Sequence, residues 1–194
     1  MIDVPATIAR FKTGYAEDPA GCSLWATVSG ARLRLRPLQS NPEHIAIRDI
    51  ELLTQWRNQN HGRFLTDFEA TPERTFRWLT VTAGPDLTRI LFMLDSSDGR
   101  PFGHVGLCEI DPTRQYAELD NIVRGEGGPP GAMRAAVMSL TDWARNSLGL
   151  DHLAVRVMAD NPAVGFYERL GYRFVRDIPV ASGRELRFME RSAA

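Results

Sequence analysis

Residues 117–133, AELDNIVRGEGGPPGAM, bring together two carboxylates (Glu118 and Asp120), a guanidinium (Arg124) and a loop rich in glycine. Leu119, Ile122 and Val123 alternate with polar residues as in a strand, and the alternation stops abruptly at RGEGGPPG. On such a strand Glu118 and Asp120 share a face. If both line a cleft, their repulsion raises one pKa and makes that carboxylate a proton acceptor near neutral pH. Either one also reads as a solvated or salt-bridged surface group. In the loop, Gly125, Gly127, Gly128 and Gly131 let backbone N–H groups curl toward one concavity, which holds phosphate when a helix starts directly behind it. A plain strand-to-helix turn uses the same residues, and Arg124 then reads as a solvated arginine at a strand end.

The elements needed to position such a site follow in order. Over 132–148, Met133, Ala136, Val137, Leu140, Ala144 and Leu148 fall at helical spacing with Arg134, Asp142 and Arg145 on the other side. Gly149 suits the position just past that helix. An alternating strand comes next at 152–158, and DNPAVGFYERLGYRF (160–174) then opens a second helix. Asn161 suits its cap, Pro162 its first turn and Gly171 its end. Tyr167 lies with Val164, Phe166 and Leu170 on an apolar face, where packing alone would also place it.

Strand, R-G-E-G-G loop, long helix, strand and N-P-A-V-G-F-Y-E-R-L-G-Y together resemble the acyl-CoA-binding core of the GCN5-related N-acetyltransferases, the GNAT family. The likeness is most specific over 118–174. It departs from the family's R/Q-x-x-G-x-G/A loop at Pro129, where a small residue is expected, and Pro130 and Gly131 look like an insertion. The resemblance implies an enzyme, an acetyl-CoA-dependent N-acyltransferase with acetyl-CoA as co-substrate. It implies a cofactor site on Asn121, Ile122, Val123, Arg124, Gly125, Gly127, Gly128, Gly131 and Asn161, with an N–H at Val123 facing the thioester carbonyl. It makes Tyr167 the proton donor to the departing thiolate, since a phenol of reference pKa about 10 stays protonated at neutral pH. Glu118 matches the strand glutamate that acts on the amine in several members. Water alone is the other reading, and for His61 and His104 a structural role is favoured.

Trp56-Arg57-Asn58 resembles the W-R-N of two branches, one acting on amino sugars of nucleotide-linked donors and one on ribosomal-protein N-termini. Trp56 suits a core, whereas Arg57 and Asn58 are candidate acceptor ligands because a guanidinium and an amide bind phosphate or sugar oxygens well. The acceptor implied is the primary amine of a small molecule, with a nucleotide-linked amino sugar ahead of a protein N-terminus. A non-catalytic acyl-CoA-binding module is the alternative, suggested by the irregular GGPPG loop, and a homodimer is compatible with either.

Composition narrows the class. At 194 residues the chain suits one acyltransferase domain spanning 1–194, with 1–31 as an N-terminal extension without a readable role. A hydrophobic content of 43% and a net charge of −1 give no strong field for nucleic acid or an anionic membrane. No apolar run approaches a membrane span, and residues 1–12, without a cationic lead before an apolar block, carry no expectation of a secretory signal. Cys22 and Cys108 stand alone, which suits reduced thiols in a cytoplasmic protein without a metal site.

Upstream, 23–28 and 31–38 read as strands, and 45–50 as a second candidate for the strand that opens the core. A short helix at 51–58, a loop at 58–68 and a helix opening at Thr71-Pro72 follow. Strands at 89–94 and 102–110 form a hairpin through Asp95–Pro101, and a last strand at 184–189 pairs through a turn near Ser182-Gly183. This order gives an α/β (α+β) class: a mixed, mostly antiparallel central sheet with helices on both faces. The resemblance adds a splayed strand pair.

Overall fold

The computed structural model describes residues 2–64, 66, 68–181 and 183–192. Strand β3 (Ile90–Asp95) is buried along its whole length because each of its faces meets a different apolar core. Ile90, Phe92 and Leu94 join one cluster; Leu91 and Met93 join the other. Side chains alternate across a strand, so two clusters on alternate residues mean that both faces of the sheet are covered.

The covering helices divide accordingly. Helices α1 (Val4–Thr13), α4 (Ala132–Leu148) and α5 (Ala163–Arg169) bring Ile8, Phe11, Val137, Leu140, Tyr167 and Leu170 to the first cluster. Helix α2 (Ile47–Gln59) brings Ile50, Leu53 and Trp56 to the second. Helix α3 (Pro72–Arg77) continues as a π-helical turn over Trp78–Ala83, which adds Leu79 and Ala83. Thr71 caps α3 by accepting the Arg74 N–H, with Pro72 in its first turn.

The remaining strands are β1 (Leu24–Val28), β2 (Ala31–Pro37), β4 (Pro101–Asp111), β5 (Tyr116–Arg124), β6 (His152–Met158), β7 (Arg173–Pro179) and β8 (Glu185–Ser192). They form one sheet with β3 in the order β1-β2-β3-β4-β5-β6-β8-β7. Among the described residues every neighbouring pair is antiparallel except β5 and β6, and α4 is the crossover that a parallel pair requires. The expected class and the assignment of α4 over 132–148 agree with this architecture, and Gly149 ends that helix in the left-handed conformation.

Two upstream expectations change. The segment 45–50 is not a strand: helix α2 starts at Ile47, and its buried residues Ile50, Leu53, Thr54 and Trp56 follow helical spacing. The apparent period of two came from Ile47, which is 74% exposed, while Asp49 turns inward to bind the Arg36 guanidinium at 2.6 and 2.7 Å. The extension 1–31 also has a definite place. It forms α1 and the hairpin strand β1, and Lys12, the sole lysine of the chain, is buried. Its Nζ donates to the carbonyls of Ala83 at 2.6 Å, Gly84 at 3.2 Å and Asp86 at 2.6 Å, which ties α1 to the end of the π-helical turn. Ser182, of the turn expected near Ser182-Gly183, lies outside the described residues.

Candidate active site

Strand β5 starts paired with β6 and ends apart from it. The parallel register runs from Tyr116↔His152 to Leu119↔Val155 and stops, although β5 continues to Arg124 and β6 to Met158. The cause lies in their other partners. Between Gly106↔Asp120 and His104↔Val123, β5 sets Asn121 and Ile122 against the single residue Val105, and Asn121 takes φ +50°. An extra residue of this kind bends its strand. Strand β6 keeps its full register with β8 through Met158↔Leu186. One strand follows β4, the other follows β8, and a wedge opens between them.

A cavity of about 800 Å³ runs into this wedge, lined on one side by residues 119–124 and on the other by residues 155–158. Asn161 and Tyr167 line it from α5 and the turn before it. Asn161 accepts the Ala163 N–H on its side chain at 2.9 Å, while Pro162, expected in the first turn, stands at the N-cap itself. Tyr167 is buried, with its ring edge-on to Phe166 and Tyr172 at 5.4 and 6.0 Å. Burial raises its phenol pKa above the ordinary value, with smaller contributions from Tyr172 and Asp120, so the group holds its proton at neutral pH.

The glycines of the loop serve different ends. A Cβ at Gly125 would stand 2.2 Å from the buried Trp56 ring, and one at Gly128 would stand 2.4 Å from Phe102, so both are glycine for packing. The Gly125 N–H donates to the Phe102 carbonyl at 2.8 Å and thereby extends the sheet. Gly127 and Gly131 have φ of +83° and +82°, a conformation that favours glycine. Gly131 stands at the N-cap of α4, and no side chain caps that helix. The Pro129 carbonyl accepts the Ala132 N–H at 3.1 Å, so the expected insertion is the turn that launches the helix. A second cavity of about 390 Å³ lies at this terminus, lined by Ile122, Gly131 and the guanidinium-bearing Arg124, Arg134 and Arg169 among others. Arg124 also donates to the Gly128 carbonyl at 3.2 Å, bracing the loop. A helix start without a side-chain cap, with three arginines around it, has the chemistry to hold an anionic group.

The two strand carboxylates part company. Glu118 lies in the paired half of β5, where Oε1 accepts the Tyr116 hydroxyl at 2.8 Å and Oε2 accepts the Arg156 Nε at 2.6 Å. It is buried and outside the cavity lining. Asp120, the first residue beyond the last pair, lines the cavity and is ion-paired with Arg89. Each carboxylate therefore faces its own guanidinium. His104 lines the cavity floor with its ring stacked on Trp56 at 6.0 Å, and burial lowers its pKa to about 4, so it is neutral. His61 opens an exposed 3-10 turn, His61–Arg63.

The Trp56-Arg57-Asn58 trio holds up the loop over the cleft. Trp56 is buried against Gly125 and His104. Asn58 pairs with the backbone of Ala70 in both directions, at 3.0 and 2.8 Å, and is not among the cavity-lining residues. Arg57 lines the cavity, donates to the Thr66 carbonyl and hydroxyl at 2.6 and 2.9 Å, and lies over the rings of Phe64 and Phe68. Sequence reasoning did not single out Arg134 and Arg169. The first-turn position of Arg134 and the last-turn position of Arg169 are the signals that could have marked them.

A mixed sheet parted beside an uncapped helix terminus defines the GNAT class of fold. The chain belongs to the acetyltransferase (GNAT) family, whose domain model matches residues 32–173. No curated protein matches it. Among solved structures, FdhC, a nucleotide-linked sugar GNAT, aligns at a TM-score of 0.67 and 16% identity, covering 88% of this chain and 89% of its own. RimL, a ribosomal alpha-N-protein acetyltransferase, aligns at 0.69 and 14%, covering 88% and 95%. The dodecameric spermidine N-acetyltransferase of Vibrio cholerae aligns at 0.63 and 20%, covering 82% and 93%. These likenesses show the fold.

Proposed function

We propose that this chain transfers an acetyl group from acetyl-CoA to the primary amine of a small molecule. The observation that carries the reading is the parting of β5 and β6 beside the α4 terminus: an anion site joined to a slot with unpaired strand edges fits a phosphate-bearing cofactor with a slender thiol arm. Bound there, acetyl-CoA supplies an activated thioester. Gly127, Gly128, Gly131 and Arg124, joined by Arg134 and Arg169, hold its phosphates. Asn121, Ile122, Val123 and Asn161 border the arm, and the backbone at Val123 stabilises the charge that develops on the carbonyl oxygen. Gly125 contributes by packing, since its amide is already bonded to Phe102. Tyr167 donates the proton to the leaving sulfur. Asp120, the carboxylate that lines the cavity and is held by Arg89, orients the amine and relays its proton to water, and Glu118 braces the strand through Arg156 and Tyr116.

For the acceptor we favour an amino sugar linked to a nucleotide over a protein N-terminus, because the cleft carries several guanidiniums and aromatic rings in a chain of net charge −1. Isothermal titration with acetyl-CoA and with CoA tests the cofactor. Absence of heat at millimolar ligand removes the reading. Thiol release measured over a panel of amino-sugar nucleotides, peptides and polyamines then separates an enzyme from a domain that binds acyl-CoA without turnover.

A further inference from the structure

We propose that Arg63, Arg74 and Arg77 form a phosphate subsite that holds the diphosphate of the acceptor. This deepens the acceptor reading above and rests on it. The chain as a whole is almost neutral, at −1, yet its cleft is not. Among the described lining residues Asp120 is the one carboxylate, and Arg89 already neutralises it.

Arg74 and Arg77 stand three residues apart on α3, a spacing that puts them on one side of the helix. Arg63 closes the His61–Arg63 turn. That turn is tied down at Gly62, whose carbonyl receives the Arg184 Nη1 at 3.5 Å, while Arg184 itself is ion-paired with Asp160 at 2.9 Å. All three arginines line the same cavity. Among the described residues none of them meets a carboxylate: Arg74 donates Nη1 to the Glu69 carbonyl at 3.1 Å and lies over Phe68 at 4.2 Å. That contact fixes the guanidinium while leaving further N–H donors to a ligand.

Three guanidiniums on the lining of one cleft, with no described carboxylate against them, make that lining favourable to an anion. Guanidinium forks match phosphate oxygens in pairs, which a carboxylate-poor surface of lysines would not do as well. Phe64 and Trp78, half-buried in the same lining, offer apolar ring surface of the kind that takes a nucleoside. A polyamine, positively charged along its length, meets repulsion here, so the cleft favours an acceptor whose amine is attached to a diphosphate.

Uridine diphosphate is the probe, titrated calorimetrically into protein saturated with CoA so that the glycine loop is already filled. Binding is expected, weakening with added salt. Arg77→Gln should weaken it about tenfold, the scale of one charge-assisted phosphate contact, and Arg63→Gln with Arg77→Gln should weaken it further. CoA affinity and melting temperature should stay unchanged in both variants, and spermidine should not bind. The subsite is overturned if uridine diphosphate fails to bind, if the double variant binds it as tightly as the parent, or if an acidic tetrapeptide binds and uridine diphosphate does not. Should CoA itself fail to bind, the acetyl-transfer reading falls separately, and the same titration on the free chain still decides the subsite.

Discussion

The first half of β5 is zipped to β6 and the second half is not, and two carboxylates two residues apart fall on either side of that divide. Glu118 lies beside the pair Leu119↔Val155 and is enclosed by Arg156 and Tyr116; Asp120 lies just beyond it and lines the cleft. Their side chains have the same chemistry and share a face. What separates them is the bulge at Asn121, which turns the rest of the strand toward β4. Strand pairing thus decides which of two equivalent acids reaches the cleft.

The largest effect should come from the far wall of the wedge. Tyr167→Phe should lower kcat by about 100-fold or more, as loss of a positioned proton donor does, with acetyl-CoA affinity nearly unchanged. A loss of affinity alone would remove its role as acid. Next comes the loop. Gly125→Ala drives a methyl toward a ring atom of buried Trp56 now 2.2 Å away, and should cost about 1–3 kcal/mol by overpacking, read as a lower melting temperature. Gly127→Ala, with open space around it but φ +83°, should cost about 1 kcal/mol.

The two acids then sharpen the comparison directly. Asp120→Asn should lower kcat/KM by about tenfold, less than the roughly 100-fold or more of a full acid or base because Arg89 already holds its charge, and should cost less stability than Glu118→Gln because Arg89 keeps Asp86 as a partner. Glu118→Gln should do the reverse, costing about 1–2 kcal/mol of stability because Arg156 loses its carboxylate, while kcat/KM stays near the parent value. Equal kinetic losses in both variants would erase the distinction drawn between them. The smallest effect is an absence: because the pKa of Tyr167 is raised by burial, kcat should show no falling limb from this group up to about pH 10, the ordinary tyrosine value.

Much of this was legible in the residues because local signals agreed with the fold. Amphipathic spacing and Gly149 marked α4, and Asn161-Pro162 marked α5. Other features depended on distant partners. Whether Gly125 gives its amide to a ligand is decided by Phe102, and why it is glycine at all is decided by Trp56, far away in the chain. Arg57 and Asn58 have the right chemistry for an acceptor, and what the residues alone do not tell is that they also hold Thr66 and the backbone of Ala70, with Arg57 lining the cavity and Asn58 outside its lining. Helix α1 was hidden because Val4, Ile8 and Phe11 make a short apolar stripe whose meaning appears only against Phe92 and Trp143. The bulge had one local sign: asparagine tolerates positive φ better than its neighbours Asp120 and Ile122 do.

Hydrogen–deuterium exchange with and without acetyl-CoA tests most directly whether the cofactor seats between the parted strands. Amides of residues 120–124 and of the loop and first turn of α4 should slow on binding, while those of residues 116–119, already paired with β6, should not change. Protection spread evenly along β5, or confined to surfaces away from the wedge, would contradict the account.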